Sequence, residues 1–298
     1  MTTAPEQKFP TFHQTFPAMG TRCDVVLPNL HPEIAAFIYQ EIQVDICLLE
    51  SKLSRFQTDS PISEINRYAH ERAIRVDLEL WDVLTTCRHF HFITDGAFDV
   101  TVLPLLQKNQ ARYAVEKPKS GFHHVELNSA DMSIRFTRPG MGLDLGGIGK
   151  GYALENVKRI LQTHNIKRAL ISFGESSIMA WGNHPHGDHW PVSIRHMRDE
   201  KRWVHEFEMK DQALSTSANG FSGNGTSIHI FDPRAGTPAA ISRAVSVVSR
   251  SPLEAEVLST ALLVLRKDEQ KGVIRHFPGC QIAEMQYGEN VEVEVVTY

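Results

Sequence analysis

Residues 141–155, MGLDLGGIGKGYALE, constrain what this chain can fold into more than any other stretch. Apolar residues alternate up to Leu145 and read as the end of a strand. Glycines stand at 146, 147, 149 and 151. Apolar residues then fall at helical spacing, at Tyr152, Ala153, Val157, Ile160 and Leu161. A strand that feeds a glycine-rich turn opening a helix is a ready place to hold phosphate. The first-turn N–H groups lack intrahelical partners, and glycine lets an anion approach the backbone. Lys150 adds a positive charge, and Asp144 stands where a carboxylate holds a hydroxyl, a ring N–H or a metal-bound water. A tight turn packed under a helix explains the same residues, and on this stretch alone it is the simpler account.

Two familiar phosphate designs are excluded. A Walker A loop wants Gly six residues before the Lys and Ser or Thr directly after it. Positions 144 and 151 are Asp and Gly. No register of the glycines fits the dinucleotide fingerprint G-x-G-x-x-G.

Composition narrows the class. A 298-residue chain with 42% apolar residues suits a well-packed globule. The net charge of −4 gives no basic field for nucleic acid, and no basic stripe runs along the chain. Cys23, Cys47, Cys87 and Cys280 lack C-x-x-C spacing and read as reduced, mostly buried thiols. No run approaches membrane-span length, which argues against membrane insertion. Residues 1–10 hold neither the apolar segment of a secretion signal nor a lipobox-like Cys, so the expected location is cytoplasmic.

Along the chain, residues 9–27 read as two extended segments around Ala18-Met19-Gly20-Thr21. Pro32 opens a long amphipathic helix with Ile34, Phe37, Ile38, Ile42, Ile46, Leu49 and Leu53 on one face. Ser60-Pro61 starts a short helix, and another spans about 78–93. Residues 121–136 read as a hairpin, 169–173 as a buried strand, and 178–181, 190–195 and 203–209 as further strands. Residues 213–217 lead into a glycine-rich loop through Gly225. Residues 228–236 read as a strand running into a Pro/Gly turn, followed by a strand at 244–248. Pro252 opens a helix, Asp268 caps the next, and two strands close the chain. Helices alternating irregularly with antiparallel-looking strands predict one α+β domain over residues 1–298, with residues 1–8 flexible.

Several side-chain groups invite chemistry. His184, His186 and His189 sit among loop formers with no acidic or Cys partner at helical spacing, which favours an exposed loop over a metal site. His123 and His124 point to opposite faces of a strand. His229, between Ile228 and Ile230, precedes Asp232-Pro233-Arg234, a turn that brings a carboxylate and a guanidinium nearby. A general base and a hydrogen-bonded structural His are equally good accounts of it. Glu256, Ser259 and Thr260 share one helix face; their oxygens suit Mg²⁺, but on these residues alone a partly buried polar patch is the simpler account.

Taken together, these pieces resemble the ApbE-type family, the FAD:protein FMN transferases. The resemblance rests on Met19-Gly20-Thr21, Ser54-Arg55-Phe56, Ser63-Glu64-Ile65-Asn66, GAFDVTVLPL at 96–105, DLGGIGKGY at 144–152, Thr216-Ser217, HIFDPRAG at 229–236 and Ala255-Glu256 to Thr260-Ala261. It implies an ApbE-like, T-fold-related single domain of mixed, largely antiparallel sheets flanked by helices. It implies covalent flavinylation: metal-dependent transfer of the FMN half of FAD to a Thr or Ser hydroxyl of an acceptor flavoprotein, with release of AMP. Met19, Phe56, Ala97, Phe98, Asp99, Asp144, Lys150 and Ile230 would line the FAD site, with Phe56 where an aromatic packs on flavin. The Gly147 carbonyl, Glu256, Ser259 and Thr260 would hold Mg²⁺. His229, with Lys150 and Asp232, would carry the chemistry, His229 as base for the acceptor hydroxyl.

The chain departs from the family pattern at identifiable places. Glu256 replaces an Asp, Ser259 stands where a second Asp is frequent, and Gly174-Glu175-Ser176 replaces Gly-Gly-Asp. Thr216-Ser217 is followed by Ala218-Asn219 instead of Gly. Glu175 is thereby expected close to the flavin or the adenine half. Two other activities fit an altered site: FAD binding without efficient transfer, and Mg²⁺-dependent FAD pyrophosphatase action.

Overall fold

The computed structural model describes residues 9–111, 121–197, 199–222, 225–239, 242–287 and 291–297. The end expected to be flexible, residues 1–8, and the middle of the glycine-rich loop, residues 223–224, lie outside the described residues.

Eight strands pair in chain order into one antiparallel sheet. They are β1 (Phe12–Ala18), β2 (Thr21–Leu27), β3 (Ala169–Phe173), β4 (Ser177–Trp181), β5 (Gln212–Ala218), β6 (Arg243–Ser249), β7 (Gln281–Tyr287) and β8 (Val291–Thr297). Between β2 and β3 the chain inserts α1 (Pro32–Leu53), α2 (Pro61–Tyr68), α3 (Leu78–Ile93), α4 (Leu103–Ala111) and α5 (Gly149–Thr163). Between β6 and β7 it inserts α6 (Pro252–Val264) and α7 (Lys267–Ile274). A small three-stranded sheet joins residues 74–75, 133–136 and 125–128. No described helix is long and apolar enough to cross a membrane. The α+β expectation from the sequence holds.

Sequence pattern accounts for the layers. On α1 the residues Ile38, Ile42, Ile46 and Leu49 are buried, one stripe of a 3.6-residue period, whereas Ile34 and Phe37, expected on the same face, are 51% and 56% exposed. Each such side chain contributes roughly 1.5–3 kcal/mol when fully buried. Helix α6 packs on β5 and β6, and α5 packs on both α1 and α6. The opposite face of the sheet is covered by a ribbon of two strands, Trp190–His196 and Asp199–Met209. Trp190, Val192, Ile194 and Phe207 of that ribbon join Leu214, Val248 and Met285 in a second core cluster. Strand β6 is thus buried from Ala244 to Ser249, with Val245 and Val247 in the main core and Ala244 and Val248 in the second cluster.

Several local expectations are corrected. Residues 141–145 form no strand. The Asn66 side chain takes the place of a neighbouring strand, accepting from Leu143 N–H at 2.6 Å and donating to Leu143 C=O at 2.9 Å. A helix, α4, occupies 103–111, where the sequence marked none. Residues 122–124 form a 3-10 turn, and the His123 and His124 rings lie 3.9 Å apart instead of on opposite faces. The N-cap of α7 is Arg266, and Asp268 sits inside its first turn.

Candidate active site

One cavity of about 620 Å³ collects most of the residues singled out above. Its base is the turn that opens α5. Asp144 N–H donates to Val100 C=O at 2.7 Å, and the N–H groups of Ile148 and Gly149 donate to Leu145 C=O at 3.1 and 2.9 Å. Asp144 Oδ1 accepts from Gly146 N–H at 2.8 Å, closing an Asx turn. Gly151 lets α5 approach α6: a Cβ there would stand 2.9 Å from Pro252 O and 3.0 Å from Glu256 Cβ.

The turn after α1 forms a second wall. Ser60 Oγ donates to Ser54 C=O at 2.5 Å and Ser63 Oγ donates to Gln57 C=O at 2.6 Å, so the start of α2 fixes Arg55 and Phe56 in place. Phe56 is 78% exposed although it belongs to the cavity wall. Arg55 Nε donates to Asp144 Oδ2, and the guanidinium lies 4.0 Å from the centre of the Phe56 ring.

Residues 97–100 form the third wall. Thr94 Oγ1 accepts from Phe98 N–H at 3.1 Å. The Asp99 carboxylate accepts from the N–H groups of Thr101 and Phe122 at 2.7 and 3.0 Å, and its side chain is 1% exposed. Its carboxylate therefore holds the wall together.

Opposite lie the groups suited to phosphate chemistry. Lys150 Nζ donates to Ser176 Oγ at 2.8 Å and stands 3.4 Å from Glu256 Oε1. Glu256 Oε2 accepts from Ser177 Oγ at 2.8 Å. Glu256 is buried, and an unpaired buried carboxylate costs several kcal/mol. The ammonium and the hydroxyl offset that cost while leaving both side chains on the cavity wall. Thr260 Oγ1 donates to Glu256 C=O at 3.1 Å and lies 3.1 Å from Ser217 Oγ.

The wall that carries His229 is built by Asn219, a residue the sequence marked only as a departure from glycine. Its side chain is fully buried. Asn219 Oδ1 accepts from the N–H groups of His229 and Ile230, and Nδ2 donates to the C=O groups of Ile230 and Ala239. Residues 228–230 are thus held by one amide and form no strand, contrary to the sequence expectation.

The cavity brings together Phe56, Ala97, Phe98, Asp99, Asp144, Gly147, Lys150, His229, Ile230, Glu256 and Thr260, all expected site residues. Three others are not part of its wall. Met19 lies beneath the start of α5, its Sδ 3.5 Å from where a Gly149 Cβ would stand. Ser259 is fully buried behind the wall, bonded to Ser215, Ser217 and the Glu256 carbonyl. Asp232 turns its carboxylate into its own loop, accepting from Arg234 N–H and its guanidinium. Glu175, expected near the flavin or adenine half, instead meets Arg195 of the covering ribbon at 3.1 Å. Ser176 faces the cavity beside it.

Among the described residues no three His, Cys, Asp or Glu side chains gather as a metal cluster. The Glu256 carboxylate, the Thr260 hydroxyl and the backbone of Gly147, expected as oxygen donors, all line the cavity. One carboxylate with neutral oxygens fits a hard cation such as Mg²⁺ when a phosphate substrate supplies the remaining oxygens.

The fold is that of the solved ApbE proteins. The structure of the flavin transferase ApbE from Vibrio cholerae matches with a TM-score of 0.81 at 23% identity, covering 96% of both chains. The ApbE protein of Thermotoga maritima gives 0.81 at 24% identity, covering 95% of this chain and 96% of that one. In sequence, the FAD:protein FMN transferase of Escherichia coli (strain K12) is 26% identical over 278 residues, spanning 86% of this chain and 79% of the relative. The ApbE family model matches residues 19–283, and the chain belongs to that family.

Proposed function

We propose that the chain transfers the FMN half of FAD to a Thr or Ser hydroxyl of an acceptor protein and releases AMP. The observation that carries this is the convergence of Lys150, Glu256, Thr260 and His229 on one cavity in a member of the ApbE family. Relatives in several bacteria bear the name FAD:protein FMN transferase.

Transfer at a pyrophosphate needs three things from the protein. The negative charge on the phosphate oxygens must be offset, and the Lys150 ammonium, oriented by Ser176, does so. The acceptor hydroxyl must lose its proton as its oxygen bonds to the FMN phosphorus, and His229 takes that proton. General-base help of this kind is worth about 10²–10⁴-fold. The bond from that phosphorus to the bridging oxygen breaks, and AMP carries the oxygen away. Finally the flavin must be held still, a task for Phe56, Asp144 and the wall from Ala97 to Asp99. Glu256, Thr260 and the Gly147 carbonyl would hold Mg²⁺, which would supply further neutralisation of phosphate charge.

The test is incubation with FAD, Mg²⁺ and a flavinylatable acceptor domain, followed by in-gel fluorescence. Covalent flavin on the acceptor is the expected result. An acceptor left dark under every divalent metal, by a protein that does bind FAD, would refute transfer.

A further inference from the structure

Arg55 fills the unspecified middle position of Ser54-Arg55-Phe56, yet its side chain forms part of the cavity wall and is 22% exposed. Its Nε donates to Asp144 Oδ2, and its guanidinium rests 4.0 Å from the centre of the Phe56 ring. Asp144 is fixed in turn by Gly146 N–H on its other oxygen. The guanidinium is thus held by a carboxylate and a ring together, which its planar, delocalised shape permits and an ammonium's does not. Among the described residues, neither terminal nitrogen of Arg55 has a hydrogen-bond partner. These donors remain to be met by a ligand or by water.

We infer that Arg55 and Asp144 together read the imide edge of a ring, the C=O, N–H, C=O edge that the isoalloxazine of FAD presents. The terminal N–H groups of Arg55 donate to a ring carbonyl, and a free lone pair of Asp144 accepts the ring N–H. The inference rests on the FAD-binding function proposed above and adds a specificity-determining residue to it. A phosphate is the other ligand a guanidinium favours. Here the bonded Asp144 carboxylate already offsets the charge of Arg55 and would repel an anion drawn to it. An imide instead offers acceptor and donor side by side, the complement of a donor and an acceptor fixed side by side. One face of Phe56 is covered by Arg55, which leaves the ring's other face and its edge for a stacked flavin. The phosphates have their own counter-charge in Lys150.

Binding constants of three ligands separate the possibilities. Riboflavin carries the imide ring without phosphate, ADP carries phosphate and a purine without an imide, and FAD carries both. In Arg55→Ala, riboflavin and FAD are expected to weaken about 10–100-fold, the loss of a charge-assisted hydrogen bond. ADP, measured by competition with FAD, is expected to stay within about twofold, which also certifies that the variant is folded. Arg55→Lys restores the charge without the planar fork and is expected to recover little of the riboflavin affinity. An ADP loss as large as the riboflavin loss overturns the inference, because Arg55 then serves phosphate. Unchanged binding of all three ligands overturns it as well. A wild-type protein that fails to bind FAD at all sinks the underlying function along with it, an outcome distinct from both.

Discussion

Lys150 Nζ lies 3.4 Å from Glu256 Oε1, and Ser177 Oγ holds the other Glu256 oxygen at 2.8 Å. The start of α5 and the middle of α6 are joined at this pair, beneath the cavity. Opposite charges at that separation are worth about 4–5 kcal/mol of bare Coulomb attraction at an effective dielectric of 20, before desolvation is subtracted. The pair therefore fixes the positions of Lys150 and Glu256 on the cavity wall before any ligand arrives.

Removing the carboxylate tests its role directly. Glu256→Gln keeps the shape and deletes the charge, so divalent-metal affinity measured by calorimetry with FAD present should fall at least tenfold. Transfer should drop on the order of 10²–10³-fold, the usual effect of losing a charge-stabilising group. Unchanged metal titration and rate would return Glu256 to a purely structural role.

Gly151 sets the spacing of the same pair from behind. An alanine Cβ would meet Pro252 O at 2.9 Å and Leu253 Cα at 3.3 Å, both backbone atoms with little room to move. Gly151→Ala should cost roughly 1–3 kcal/mol of stability, typical of overpacking. Denaturant unfolding measures it, and a variant as stable as the parent would show that α5 and α6 slide apart freely.

Asn219 replaces a strand ladder for residues 228–230. Asn219→Ala removes the side-chain partner of the His229 and Ile230 N–H groups and of the Ala239 C=O, at about 1–3 kcal/mol for a buried group left unsatisfied. The melting temperature should fall, and transfer should fall more than FAD binding, because His229 loses its placement. Asn219→Asp keeps the acceptor for the two N–H groups but sets a buried carboxylate oxygen against two C=O groups, so near pH 7 it should be at least as damaging as Ala; a clearly milder effect would contradict this.

Asp45 on α1 gives a pH signature. Burial pushes its carboxyl above the usual carboxylate range, with Glu79 and Glu41 adding to the rise and Asn156 and Arg159 opposing it. The folded state thus binds this proton more tightly than the unfolded chain. The stability linked to Asp45 is complete below the unfolded value of about 3.9 and is lost as pH rises through the folded value. Asp45→Asn keeps an acceptor for Asn156 and should melt higher than wild type at pH 7, with the gap closing below about pH 4. A constant gap across that range would assign the effect to packing.

The layers of the fold are legible because period and punctuation agree. The stripe of Ile38, Ile42 and Ile46, the cap at Ser60 and the apolar run of β6 each specify one element. The misplaced strands fail for one shared reason. Residues 141–145 and 228–230 carry strand-like apolar residues, but their backbone groups are met by the side chains of Asn66 and Asn219, distant in sequence. No period reports such a partner. The site divides in the same way. Lys150, Glu256 and Thr260 are readable from a helix start and from one helix face. Arg55 acquires its meaning only from Asp144 and Phe56 in space, and Asp232 loses its expected place because Arg234, two residues on, claims the carboxylate.

The most direct test of the central claim is chromatography of nucleotides after incubation with FAD and Mg²⁺, with and without an acceptor protein. Transfer predicts AMP in a one-to-one ratio with flavinylated acceptor, and no AMP when the acceptor is left out. AMP together with free FMN in the absence of acceptor would contradict it in favour of hydrolysis, and FAD recovered intact in both samples would contradict it in favour of binding alone.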